Sequence, residues 1–313
     1  MKILIVGRKS NYNAEYFYEK AYRKLGHDVS ILDSYIGVTH SFVRRYLHTR
    51  TNIINFTLHN YWINKYLKRI VNSYDPDIII FFKGEFILSR LIAELSQNRN
   101  IYLFYPDTYK FKPLLRQSIT YYRTVFTAAN NTGFYEDMGA KKVVTIPWAC
   151  DPDFHKVLDI EKKYDVSFVG TAYRERRKII RKIKNVEVFG DFWFGFGKNA
   201  HKSVNGEGFI RTINQSLINL NLQTRVSVLA DAPTMRTFEI AGCGGFQISD
   251  FMPSVKKYFP KIPTFNDTKE LKELISYFLS NQSEAKEIAY KTMETCYSYY
   301  KYTDAAIRIL SNV

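Results

Sequence analysis

Residues 219–250, NLNLQTRVSVLADAPTMRTFEIAGCGGFQISD, decide the fold. Leu217–Asn221 is an apolar run, Met235–Ala241 carries a helical pattern, and Phe246–Ile248 is apolar again after a glycine cluster. That order reads as strand, loop, helix, glycine turn, strand. Pro233 and Thr234 suit a helix start, because proline is tolerated in the first turn and threonine can cap. The N–H groups opening a helix lack intrahelical acceptors and sit at its positive dipole end, so they bind phosphate well. Arg236 adds a cation there. Glu239 lies three residues on, so both can share one helix face. A carboxylate in that place can accept hydrogen bonds from two ribose hydroxyls. Gly242, Gly244 and Gly245 end the helix and permit close backbone approach. Taken alone, the stretch also fits an ordinary helix with a basic–acidic i,i+3 pair.

Working outward, the same alternation fills the chain. Ile3–Val6, Val29–Leu32, Ile78–Phe82, Ile101–Phe104, Thr124–Ala128 and Val143–Ile146 read as strands, with helices over Glu15–Leu25, within 41–72 and over Ile87–Leu95. The pattern restarts with strands at Asp165–Val169 and Val186–Phe189, a helix over Arg174–Ile183, a glycine-rich loop over 190–206, and two late helices near 268–280 and 283–311. Strands alternating with helices imply parallel α/β sheets. Two successive Rossmann-like units joined near Pro147–Lys163 follow. Ligands of such sheets bind beyond the carboxyl ends of the strands. Two sheets facing across a cleft would then make a two-substrate site.

Composition narrows the class. The 313 residues are 46% hydrophobic and 16% aromatic, enough for real cores, which excludes a disordered chain. Cys150, Cys243 and Cys296 are far apart and form no C-x-x-C pair, so neither a disulfide framework nor a structural zinc is expected. The start, MKILIVGRKS, reads as a strand rather than a secretory leader, and the run Ile78–Phe82 is too short to span a bilayer. The expectation is a soluble, cytoplasmic protein, with peripheral contact at the inner membrane face as a variant. The net charge is +15, and residues 1–150 hold 21 Lys/Arg against 11 Asp/Glu. A basic surface attracts phosphates, nucleic acid or anionic headgroups, or simply keeps the protein soluble. Within 42–70, FVRRYLHTRTNIINFTLHNYWINKYLKRI, basic and aromatic residues interleave. This fits an amphipathic helix pair on the first sheet, a membrane-surface helix or a nucleic-acid contact.

Four segments carry a family resemblance: 219–250 itself, Ile146–His155 (IPWACDPDFH), Tyr164–Thr171 (YDVSFVGT) with Arg174 and Arg177, and Val188–Trp193 (VFGDFW). Together they resemble the CgeB/YkvP-like glycosyltransferases, within the broader group-1-like GT-B enzymes. The likeness is good over about 140–310 and weaker before it. It implies an α/β GT-B fold: an acceptor domain over 1–148, a nucleotide-sugar domain over 149–299, and a helix end, 300–313, crossing back to the first domain. It implies that Glu239 binds the ribose, while Arg236 and the Thr234–Met235 backbone hold the diphosphate. Gly170 and Thr171 line the phosphates, and Arg177 or Arg174 neutralises the leaving group. Gly244 and Gly245 complete the turn. Where wider group-1 enzymes carry another glutamate, this chain has Asp231, one methylene shorter. Trp193 either presents its ring to the base or packs in the core. The implied donor is a nucleotide-diphosphate sugar, a UDP-sugar first, with no cofactor required.

The first domain should supply acceptor contacts and any base. Asp107 and Glu85 follow strands and are the carboxylate candidates for taking an acceptor proton. Lys83 and the loop residues Arg8, Lys9 and Ser10 stand at the same sheet edge. The triplets Asp75-Pro-Asp77 and Asp151-Pro-Asp153 look like metal-binding pairs, but their prolines suit turns and no metal is expected. None of the six histidines shows ligand spacing, and His155 draws notice only by its place in a family-like segment. The acceptor is open among a glycan, a lipid-linked glycan, a protein and modified DNA. Two other readings stay in view: a phage-type enzyme glycosylating modified bases, and a non-catalytic GT-B-like protein that binds polyanions or serves in a surface assembly.

Overall fold

In a computed structural model, residues 1–36, 53–106 and 113–313 are described, without the side chains of 53–58 and 113–114. The chain divides into two compact units. One holds Met1–Ala128, Thr132–Ile146 and Ala306–Val313, and the other holds Ala129–Asn131 and Pro147–Ala305.

The first unit is built from strands β1 (Lys2–Gly7), β2 (Asp28–Asp33), β3 (Ile78–Phe82), β4 (Asn100–Phe104), β5 (Val125–Thr127) and β6 (Val143–Thr145). Its helices are α1 (Ala14–Lys24), α2 (Ile53–Tyr74), α3 (Ser89–Asn98), α4 (Pro113–Ser118) and α5 (Gly133–Asp137). The sheet order is β2-β1-β3-β4-β5-β6, every pair parallel. β3 is buried at all five positions, Ile-Ile-Ile-Phe-Phe, as a strand covered on both faces must be. α1 turns Phe17, Tyr18, Ala21 and Tyr22 inward at i, i+1, i+4 and i+5, the spacing of one helix face. α2 is held by Ile63, Leu67 and Val71, and by Asn64, which donates to Phe86 O at 2.8 Å and accepts from Leu88 N at 2.9 Å.

The second unit has strands β7 (Tyr164–Val169), β8 (Val186–Phe189), β9 (Ala200–His201), β10 (Ser216–Asn221), β11 (Gln247–Asp250) and β12 (Thr264–Phe265). Its helices are α6 (Arg174–Ile180), α7 (Glu207–Asn214), α8 (Arg225–Leu229), α9 (Met235–Gly242), α10 (Pro253–Tyr258), α11 (Thr268–Ser280) and α12 (Gln282–Tyr299). α13 (Tyr302–Leu310) begins in this unit and ends with the first. The strand order is β9-β8-β7-β10-β11-β12, again all parallel. Numbered within the unit this is 3-2-1-4-5-6, the doubly wound order, and its switch point lies between β7 and β10. In the first unit the corresponding gap lies between β1 and β3.

Several expectations are revised in detail. The glycine-rich loop over 190–206 contains the short strand β9, and α7 follows directly. The late stretch 283–311 is two helices. Cys150 pairs with Lys301 in a parallel bridge, with Cys150 N donating to Tyr300 O and Tyr302 N to Cys150 O, so Tyr300–Lys301 cannot be helical. All three cysteines are free and buried.

Candidate functional site

The switch point of the second unit is assembled from the carboxyl ends of β7 and β10. Val169 leads into Gly170 and Thr171, whose loop is fixed from both sides. Gly170 N donates to Phe189 O at 2.9 Å, and Trp193 Nε1 donates to Gly170 O at 2.9 Å. Gly190, with φ of +152°, lies so close that an added Cβ would stand 2.2 Å from Gly170 O. Only glycine fits there, and the two loops lock together.

α9 begins opposite this loop. Thr234 is extended at the N-cap, and its N–H donates to Gln223 Oε1 at 3.0 Å. Gln223 belongs to a buried polar ladder with Asn221, Thr237 and Gln247. Asn221 Nδ2 donates to Thr237 Oγ1 and to Gln247 Oε1, both at 2.9 Å. This ladder ties the helix start to β10 and β11. From behind, the Phe238 ring meets Tyr258, Phe259 and Tyr300 at centroid distances of 5.8, 5.2 and 5.5 Å. Truncating such a buried ring typically costs about 3–5 kcal/mol.

Arg236 and Glu239 do share a face. Arg236 Nη1 donates to Glu239 Oε2 at 2.6 Å, and the guanidinium lies 4.0 Å from the centroid of the Phe209 ring. Glu239 is 2% exposed, yet it faces two partners. His155 Nε2 stands 3.6 Å from its Oε1. The tautomer follows from the other nitrogen: His155 Nδ1 accepts from Asp151 N at 3.0 Å, so the ring proton sits on Nε2, toward Glu239. Burial pushes the Glu239 pKa up, but Arg236 and His155 outweigh it and hold the carboxyl below its usual range. The site therefore keeps a buried carboxylate ionised.

Arg176 is the guanidinium that turns inward from α6. It is buried, donates through Nε to Leu222 O at 3.0 Å and through Nη1 to Thr171 O at 3.3 Å, and stacks over Phe168 and Tyr173. It lines a small cavity with Phe209, Asn221, Thr234 and Arg236. Arg174 is exposed, and Arg177 donates to Phe194 O at 3.0 Å, so neither is the residue that enters this cavity. Asp250, at the end of β11, accepts from Gln223 N; burial pushes its pKa up to about 6.

Four other expected donor-site residues have different work. Trp193 is buried against Phe168 and Phe196, so it braces the Gly170 loop rather than offering a ring. Asp231 Oδ1 accepts from Ser254 N at 3.0 Å and Ser254 Oγ at 2.6 Å, capping α10. Gly244 and Gly245 lie past the C-terminal end of α9, away from Thr234 and Arg236. Gly244, at φ of +64°, closes the helix: its N–H donates to Ala241 O and that of Gly245 to Ile240 O.

In the first unit, the switch point holds Gly7, Arg8 and Lys83. Glu15, the second residue of α1, is buried there and accepts from Arg8 N at 3.0 Å. Burial raises its pKa, against opposing pulls from the Arg8 N–H and from Lys83 and Arg8. Glu85 accepts from Tyr35 Oη at 2.6 Å within a strained turn, where Lys83, Gly84 and Phe86 all have positive φ. The Arg8 guanidinium lies over the Tyr35 ring, Lys9 is exposed, and Ser10 Oγ is buried without a hydrogen-bond partner. Asp107 lies outside the described residues. The aspartate triplets are engaged locally: Asp75 with Arg99, Asp77 with Lys2 N, and Asp151 with Asp153 N.

Two doubly wound parallel units with a cationic pocket at a strand switch point define a nucleotide-binding α/β protein. Comparison makes this specific. Residues 169–311 match a family model described as glycosyl transferase-like. The whole chain is similar in fold to trehalose-6-phosphate synthase OtsA, with a TM-score of 0.69 at 8% identity, covering 100% of this chain and 98% of that one. It is similar likewise to sucrose-phosphate synthase from Thermosynechococcus elongatus, with a TM-score of 0.68 at 9% identity, covering 99% and 97%. A third similar structure is HepE of Anabaena in complex with UDP-glucose, with a TM-score of 0.64 at 11% identity, covering 100% of each chain. None of the curated proteins matches the sequence. The chain has the GT-B fold and is an enzyme of the GT-B glycosyltransferase type.

Proposed function

We propose that this protein is a cytoplasmic glycosyltransferase, CgeB/YkvP-like in its motifs, that moves a sugar from a UDP-sugar to an acceptor without a metal ion. The observation that carries the reading is the buried carboxylate Glu239 in the middle of α9, held ionised by Arg236 and His155, one helix turn from Arg236, which lines the cavity with Arg176. An ionised carboxylate has lone pairs beyond those used by its two partners, and ribose hydroxyls suit them. Arg176, Arg236 and the opening residues of α9 line one cavity and suit a diphosphate in charge. As the bond from sugar to β-phosphate breaks, negative charge grows on the leaving diphosphate, and fixed guanidinium groups stabilise it without reorganising. Gly170 and Thr171 would face the same phosphates through backbone groups. HepE, similar in fold, was solved with UDP-glucose, which supports the choice of base.

On the acceptor side, the first unit offers Glu15 as well as Glu85 for a proton. Glu15 is buried and its pKa is raised by that burial, which makes its carboxylate a stronger base than an exposed one. Lys83, Arg8, Lys9 and Ser10 stand at the same sheet edge as acceptor contacts.

The test is calorimetric titration of UDP, GDP, dTDP and CMP, and of their sugars, followed by donor turnover with and without EDTA. UDP and one UDP-sugar should bind most tightly, and EDTA should leave turnover unchanged. Selective binding of another base, or activity lost to EDTA and restored by Mn²⁺, would replace this reading.

A further inference from the structure

The outer face of α2 has no use in the donor chemistry, and its composition is unusual. Tyr61, Trp62 and Tyr66 are 52%, 62% and 51% exposed. Lys65, Lys68 and Arg69 are exposed on the same side. Residues at i, i+1, i+4, i+5 and i+8 fall on one helix face, so Tyr61, Trp62, Lys65, Tyr66 and Arg69 form one stripe. The opposite face, Ile63, Leu67 and Val71, is buried in the core, so the stripe cannot rotate inward. Ile53–Tyr74 contains no aspartate or glutamate. Lys68 is paired with Glu94 of α3, which leaves Lys65 and Arg69 as the cations of the stripe without a carboxylate partner among the described residues.

We propose that this face docks the enzyme on the surface of an anionic lipid bilayer. Three large rings side by side in water are a cost unless something covers them. Trp and Tyr favour the headgroup level of a membrane, where their apolar bodies and polar tips are both satisfied. Interspersed Lys and Arg complement the negative surface of anionic lipid. Lys65 Nζ, 5.7 Å from the Trp62 ring centroid, shows charge and ring on the same face. A single-stranded nucleic acid would need rings laid flat as stacking platforms. Here Tyr61 and Trp62 meet edge to face at 76°, which offers no such platform. No described helix is long and apolar enough to cross a membrane, so the contact is peripheral.

The inference stands apart from the donor reading, because the test uses the full chain without nucleotide. Co-sedimentation is measured with vesicles of phosphatidylcholine alone and of equimolar phosphatidylcholine and phosphatidylglycerol. The protein should pellet with the anionic vesicles, and less so as salt is raised. Lys65→Gln with Arg69→Gln should weaken that binding on the order of thirtyfold. Trp62 is the exposed tryptophan of three, so anionic vesicles should shift the emission to the blue, and Trp62→Phe should bind yet lose the shift. This reading on the wild-type protein holds even if the charge variant fails to fold. Equal binding to both vesicle types, unaltered binding by the charge variant, or no blue shift overturns the proposal. Retention on duplex DNA without vesicle binding overturns it too and gives the face to nucleic acid.

Discussion

Glu239→Gln is the sharpest probe of the donor site. Glutamine keeps the shape and an acceptor oxygen but removes the charge from a group that is 2% exposed. The 2.6 Å contact from Arg236 and any ribose contact then become weaker neutral-acceptor bonds. A hydrogen bond to a charged group contributes roughly 1.5–3 kcal/mol. Losing that advantage at one ribose contact should weaken UDP-sugar binding on the order of ten- to hundredfold. The fold should survive, because Arg236 is 30% exposed, can hydrate, and keeps the Phe209 ring beneath it. Calorimetry at neutral pH reads the affinity, and thermal unfolding checks the fold. A pH signature separates this from a packing defect. The Glu239 pKa lies below the ordinary 4.5, so on acidification the unfolded chain takes up the proton first. Its stabilising contribution is complete above that ordinary value and is lost as pH falls through the lower folded one. Wild type should therefore lose stability more steeply in acid than the variant. A folded Glu239→Gln protein that binds UDP-sugar as tightly as wild type would refute the assignment.

Further expectations follow from neighbouring groups. Arg176→Ala should weaken UDP binding about tenfold or more, while Arg174→Ala should change it little, since an exposed cation is screened; titration of both variants decides between them. Asp250, pushed from 3.8 to about 6 by burial, is a charge the folded state carries at a cost above that range. Asp250→Asn should raise unfolding free energy at pH 8 by about 1–3 kcal/mol, with the gain vanishing in acid below both values, as denaturant unfolding against pH would show. Glu15→Gln should lower kcat by roughly 10²–10⁴ with donor affinity unchanged. The wild-type rate should fall on acidification through a raised pKa, and a donor Kd that changes in step with kcat would count against Glu15 as the base.

The strand content was legible because parallel strands covered on both faces leave near-continuous apolar runs, as in Ile78–Phe82. The helix start at Thr234–Met235 was legible through its proline, threonine and trailing glycines. The inward guanidinium was not. In RERRKIIRK the arginines share one chemistry, and Ile179 and Ile180 are both apolar, so the pattern does not say which face turns in. Only the burial of Ile180, four residues beyond Arg176, resolves it. His155 was hidden for another reason: its partner Glu239 is distant in sequence, and spacing rules see only local ligand sets. Glu15 resembled any acidic residue in a first helical turn, and its burial depends on where β1 and β3 bring the loop. Gly244 misled in the opposite sense, since a helix stop and a ligand contact ask for the same residue.

The assignment of Ala306–Val313 to the first unit has a consequence for synthesis on the ribosome. Ala306 and Ile309 are completely buried, and Thr124 Oγ1 donates to Asn312 O at 3.3 Å, so residues 306–313, translated after nearly all of the second unit, belong to the unit that holds β1. Domains ordinarily fold in the order they emerge. Here that order cannot hold to completion. Nearly all of the second unit, through Ala305, has been translated before the first unit receives its final helical turns. The first unit must therefore wait, its surface for α13 uncovered, until residues 306–313 have emerged. A nascent chain stalled before residue 306 would hold an unfinished first unit, exposed to chaperones and proteases at the position where that helix later packs.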